Sequence, residues 1–206
     1  MREAAFYQDE AKQRTARAVK AVEEQTSAEV VVAVRRRSGD YRIAAYYFGF
    51  GAVAVVTLYM LVSPQLFSIG AMALDAVVAF ALGALLCRNV ETLSRALTPA
   101  SRLRGNVETA ARAAFFDLGI SRTSGRNGIL VFVSTFERTC AVLTDIGIDV
   151  AALGEGFEKS RDSMQRAIKQ RDFDAFISAL ESLGPALGEA MPRMEDDVNE
   201  LPDEVQ

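Results

Sequence analysis

The chemistry open to this chain is narrowed first by a residue it lacks. The 206-residue sequence contains no histidine, which excludes Ser-His-Asp triads, Cys-His dyads, HExxH zinc sites and an imidazole general base near neutral pH. Two cysteines, Cys87 and Cys140, are too few and too far apart for a zinc knuckle or a disulfide framework, and they suit a reducing compartment. The loop Ser124-Gly125-Arg126-Asn127-Gly128 fits neither GxxxxGK[ST] nor GxGxxG. It precedes a strand rather than a helix, so it reads as a connection and not as a phosphate cradle. Glu137-Arg138 reads as a surface turn rather than an acid/base pair. One carboxylate stands apart by its surroundings: Asp75 is the single charge between Arg42 and Arg88.

That stretch, Ile43 to Cys87, is 45 residues long. A hydrocarbon core about 30 Å thick takes about 20 helical residues, so 45 fit two spans and a tight turn. Ser63-Pro64-Gln65 supplies the turn, which predicts transmembrane helices over 43–62 and 66–86. Arg35, Arg36, Arg37 and Arg42 precede the first span, Arg88, Arg95, Arg102 and Arg104 follow the second, and the turn carries no basic residue. The positive-inside rule therefore puts both termini in the cytoplasm of an inner-membrane protein. A central Asp costs about 2.5–3.5 kcal/mol of insertion free energy. Asp75 is thus an intramembrane candidate for a proton-relay, ion-binding or oligomer contact, or a carboxyl satisfied by Thr57 or a backbone carbonyl. Ala79 and Gly83, four apart, allow close helix approach between chains or within the hairpin.

The soluble pieces on either side look incomplete alone. Ala11, Thr15, Ala18, Val19 and Val22 recur at helical spacing, and Glu29 to Val34 is an apolar β-branched run. A second such run, Gly128 to Val133, lacks polar alternation, the pattern of strands covered on both faces. Between them a helix is expected from an Asn106 N-cap through Val107, Ala111, Ala114, Phe115 and Leu118 to a stop at Gly119. Strand, helix, strand implies a right-handed parallel crossover with the membrane hairpin inserted in its connection. Thr139 to Leu143 can return antiparallel. Two further helices follow, the second broken by Gly184-Pro185. The predicted organisation is a first half-domain at 1–42, the hairpin at 43–87, a second half-domain at 88–194 and an acidic tail at 195–206. A net charge of −4 and a pI near 5.1 argue against nucleic acid as a partner.

Ala18 to Val34 and Thr123 to Ile148 resemble the two halves of a TPM domain, a family that includes thylakoid proteins of photosystem maintenance and many bacterial envelope proteins. Asn127, Gly128, Glu137, Arg138, Asp145 and Gly147 carry the more specific part of the likeness. The inserted hairpin and the ending Asp197-Val198-Asn199-Glu200-Leu201-Pro202-Asp203 resemble a bacterial membrane branch of that family. The resemblance implies an α/β/α sandwich around a small mixed sheet. It also implies acidic residues at strand ends, through which some members are described as binding calcium or acting as weak acid phosphatases.

Here Arg126 stands where many relatives carry an acid, which speaks against both activities. The remaining acidic candidates for calcium or magnesium are Glu137, Asp145 and Asp149. A hard cation needs several converging oxygens, yet Glu137 and Asp145 should lie at opposite ends of one strand. Asp145 and Asp149 come together only if the Gly147 segment turns. The expected function is a non-enzymatic, membrane-anchored interaction or assembly module, without a cofactor, whose partners are the lipid bilayer and a second copy or another membrane protein. The competing expectations are a weak metal-assisted phosphatase and an oligomeric ion or proton pathway built around Asp75.

Overall fold

The computed structural model describes residues 8–193 and 200–201. In chain order its elements are α1 (Asp9–Glu23), β1 (Glu29–Arg35), α2 (Arg42–Val62), α3 (Ile69–Asn89), α4 (Glu91–Ala96), α5 (Ala100–Asp117), β2 (Gly128–Ser134), β3 (Thr139–Thr144), α6 (Gly154–Gln170), α7 (Phe173–Glu181) and α8 (Leu183–Ala190). The fold is mixed α/β, mostly helical, around one three-stranded sheet. Two compact units emerge: Met1–Ser38 with Arg104–Gln206, and Gly39–Leu103. Of the acidic tail expected at 195–206, all but Glu200 and Leu201 lie outside the described residues.

The first unit is organised by its sheet, ordered β1-β2-β3. β1 and β2 run parallel in a register that matches Glu29 with Gly128 and Arg35 with Ser134. β3 returns antiparallel to β2, with Ile129 opposite Thr144 and Ser134 opposite Thr139. Because side chains alternate across a strand, the uninterrupted valines of β1 serve two cores at once. Val30 and Val32, with Ile129, Val131 and Val133, pack against Val19 and Val22 of α1 and against Phe157, Met164, Phe176, Leu180 and Leu187 of the C-terminal helices. Val31, Ala33, Leu130 and Phe132 point the other way, onto Val107, Ala111, Ala114 and Phe115 of α5 and onto Ile120.

The outer rim of β3 is met at its start by a side chain of α6. Gln165 of α6 accepts the Cys140 N–H at 2.9 Å and donates to the Arg138 carbonyl at 3.2 Å. On the β1 side, Glu23 accepts the Val30 N–H at 2.9 Å and the Ser27 N–H reaches the Met191 carbonyl at 3.1 Å. One end of each edge that could template another strand is thereby occupied.

Three boundaries differ from the sequence expectation, each for a local reason. α5 starts at Ala100 instead of Asn106, because Pro99 opens the helix and its carbonyl accepts the N–H groups of Arg102 and Leu103. Asn106 therefore lies inside the helix. The break expected at Gly184-Pro185 falls at Ser182, and Pro185 sits in the first turn of α8, where its missing N–H costs little. α3 begins at Ile69 rather than at 66, because the Ser68 hydroxyl caps it by accepting the Ala71 N–H at 3.2 Å.

In the second unit α2 and α3 are 21 residues each and pack antiparallel. Both are long and apolar enough to cross a membrane, and only 6% of each apolar window is buried inside the protein. Their contact depends on missing side chains. A Cβ on Gly83 would come within 2.9 Å of the Ala52 Cβ and 3.2 Å of the Gly49 Cα. One turn away the Phe80 ring meets the Phe50 ring edge-on, with centroids 5.0 Å apart. Gly83 is thus consumed by packing within the pair. Gly83→Leu should separate the helices and cost about 1–3 kcal/mol, read as a lower melting midpoint in detergent. Gly51→Leu, which meets open space and replaces a poor helix former, should not lower that midpoint.

Candidate functional site

The family-like residues divide between the two ends of the sheet. At the end where β1 and β2 begin, Asp145 follows β3 directly and is 5% exposed. Its backbone N–H donates to the Gly128 carbonyl at 2.9 Å, which fixes the residue beside the start of β2. The carboxylate is held from two directions. Oδ1 accepts the Ile146 N–H at 2.8 Å and Arg126 Nη2 at 3.1 Å. Arg126 Nε lies 2.9 Å from Oδ2, as an ion pair rather than an aligned hydrogen bond.

Two backbone features bring these loops together. Arg126 has a φ of +51°, a left-handed conformation that costs a side chain about 1 kcal/mol and here aims the guanidinium at Asp145. Gly147 approaches so closely that a Cβ would sit 2.4 Å from the Gly125 carbonyl oxygen and 2.6 Å from that of Arg126. Its N–H donates to the Arg126 carbonyl at 2.9 Å. Asn127 extends the tie sideways, its Nδ2 donating to the Ser27 carbonyl ahead of β1.

The same end receives the C-terminal segment. Glu29, at the start of β1 and 6% exposed, accepts the backbone N–H groups of Glu200 and Leu201, each at 3.2 Å. The Glu200 carboxylate accepts the Ser124 hydroxyl on Oε1 and the Ser124 N–H at 3.0 Å on Oε2. Leu201 packs against the α5 side of the core. Sequence reasoning singled out none of Glu29, Ser124 or Glu200 as a contact. The readable signal is an acid at the head of a wholly apolar strand, where desolvation demands donors.

At the opposite end Glu137 is 5% exposed. Its Oε1 accepts the Ser38 N–H at 2.8 Å, its Oε2 accepts the Ser134 hydroxyl, and the Ser38 hydroxyl donates to Ser134 Oγ at 2.8 Å. Glu137 therefore anchors the residues leaving β1 to the turn between β2 and β3. The Thr135 and Phe136 N–H groups add two ladder bonds to the carbonyls of Arg35 and Arg36, both at 3.0 Å. The Arg37 guanidinium lies 4.3 Å from the Phe136 ring centroid. Glu137 and Arg138 do form a turn, as expected, but the acid faces inward; Arg138 takes a φ of +53°. Burial pushes the Cys140 thiol up to about 12, so it supplies no thiolate nucleophile near neutral pH.

The acids do not fit a divalent cation. Glu137 and Asp145 flank β3 at its two ends, and Asp145 already has a cation in Arg126. Asp149 is exposed and uses Oδ1 to accept the Ala151 N–H at 3.0 Å. Among the described residues no three His, Cys, Asp or Glu side chains converge as a metal site.

In the second unit Asp75 is exposed on α3, and among the described residues it has no hydrogen bond or ion pair. The contact to Thr57 considered from sequence is absent, because Thr57 is exposed on α2 as well. Arg42 and Arg88 are exposed at the first residue of α2 and near the last of α3, while Arg95 of α4 is half-buried. Arg35, Arg36, Arg37, Arg102 and Arg104 are exposed.

No family model matches the chain. No curated protein matches it either. Its fold is similar to the NMR structure of the BA42 protein from the psychrophilic bacterium Bizionia argentinensis, with a TM-score of 0.56, 18% identity, and coverage of 96% of this chain and 92% of that one. At that identity the likeness concerns the fold alone.

Two outcomes test the site. Arg126→Ala leaves a buried carboxylate with one backbone donor and should destabilise the domain by about 1–2 kcal/mol, the guanidinium being half exposed. In a double-mutant cycle Asp145→Asn should recover part of that loss, measured by urea denaturation. The second outcome concerns Glu200, whose carboxyl the Ser124 hydroxyl and N–H hold below its ordinary value. A depressed folded value means that the contact is fully made above about pH 4.3 and is lost as pH falls through the lowered value. The Ser124 amide resonance should follow that titration and lose it in Glu200→Gln.

Proposed function

We propose that this chain is a non-enzymatic interaction or assembly module of the bacterial inner membrane: a TPM-like, three-layer α/β/α sandwich interrupted by a two-span transmembrane hairpin, with both termini cytoplasmic. The observation that carries the reading is the surface of α2 and α3. Tyr47, Phe50, Val55, Leu58, Leu61 and Leu74 are all between 63% and 74% exposed. A helix pair this apolar and this bare belongs in lipid, since burying such side chains is worth about 1.5–3 kcal/mol each. The arginine bias supports the orientation. The two cores on opposite faces of the sheet support the layering. The commitment of Glu137 and Asp145 to internal donors supports binding over catalysis, and no cofactor enters the reading.

In native membranes the chain should resist extraction by alkaline carbonate, and crosslinking should recover it in a complex. Release into the carbonate supernatant would sink the membrane assignment. A carbonate-resistant chain that is a monodisperse monomer in detergent and crosslinks to nothing would sink the assembly role.

A further inference from the structure

We infer that the hairpin pairs with a second copy of itself through the face of α3 that carries Asp75, the two carboxyls meeting across a two-fold axis. This rests on the membrane reading above and names its partner.

Asp75 lies six residues into α3, about 9 Å from its start at 1.5 Å per residue. The far end is more distant still. An aspartate side chain is too short to reach headgroups from there, and an unsatisfied polar group in hydrocarbon costs several kcal/mol. The hairpin does not satisfy it. The face of α3 turned toward α2 is taken by Phe80, Gly83, Ala84 and Cys87, and Asp75 points roughly a quarter-turn or more away from it.

Around Asp75 the surface permits a close neighbour. Ala71 and Ala79 flank it at four-residue spacing, and Leu82, two turns on, is 62% exposed and caps the same strip. Small residues on either side of a polar one let a second helix approach closely enough for a hydrogen bond.

A second copy is the occupant the chemistry fits. Identical hairpins insert in the same orientation, so an axis along the bilayer normal brings each Asp75 to the depth of the other. A carboxyl pair is self-complementary, since a carboxyl O–H donates and the facing carboxyl oxygen accepts. The spans hold no other charge, and the self-pair requires none.

The test is symmetric cysteine crosslinking in native membranes, with Cys87 and Cys140 replaced by alanine. Leu82→Cys lies on the proposed face, whereas Val77→Cys, 67% exposed in the native residue, lies on the other side of α3. Mild oxidation should give a disulfide-linked dimer for Leu82→Cys and far less for Val77→Cys. Adding Asp75→Leu should reduce the dimer about three- to tenfold, and Asp75→Asn, which still donates and accepts, should restore it. Equal crosslinking at both positions, or a dimer indifferent to Asp75→Leu in a carbonate-resistant chain, would overturn the contact while leaving the membrane assignment standing. Extraction of the chain by carbonate would overturn both.

Discussion

The structure depends on one parallel strand pair. β1 and β2 are far apart in sequence, yet they share seven register positions and a nearly solvent-free interior. A parallel pair cannot be closed by a tight turn; it requires a crossover. In this chain the crossover contains α5 and also everything from α2 to α4. The segment that most favours an apolar surrounding is therefore spliced into the connection that the sheet needs in order to form. Both of its ends are tied to the same folded unit, so the sheet acts as the common origin of both apolar helices.

Each end of that strand pair is then closed by an internal electrostatic contact. At one end Asp145 takes the cation of Arg126 and Glu29 takes two backbone donors of the returning C-terminal segment. At the other end Glu137 takes the N–H of Ser38 and the hydroxyl of Ser134. Desolvated carboxylates are costly unless their lone pairs are filled. Glu29 and Glu137 are met on both oxygens by donors of the chain itself, Asp145 by donors on Oδ1 and by the charge of Arg126 beside Oδ2, and each acid ties one stretch of backbone to another. These acids hold loops in place, each turned inward to groups of its own chain.

Much of this was legible in the sequence because the signals were large and local. Unbroken apolar runs in β1 and β2 announce strands buried on both faces, and a 45-residue stretch with a single charge announces paired apolar helices. What escaped depends on tertiary placement. The inward turn of Glu137 cannot be seen in the dipeptide Glu137-Arg138, because it depends on Ser38 arriving from another part of the chain. The role of Gly83 stayed open between chains and within one until Ala52 and Gly49 were found against it. Helix starts at Ala100 and Ile69 were displaced by Pro99 and Ser68, whose capping competes with better-known signals such as Asn106. Asp75 is the opposite case: its residue type and its place within the apolar run were plain in the sequence, and only the packing of α3 revealed that, among the described residues, its own hairpin gives it no partner.

Gln165 matters beyond the two hydrogen bonds it makes. An open strand edge offers unpaired N–H and C=O groups to any other strand that meets it. The amide of Gln165 takes the Cys140 N–H and the Arg138 carbonyl, one donor and one acceptor at the start of β3. One side chain on a neighbouring helix thus blunts the edge where β3 begins, so that another strand adding there would first have to displace it.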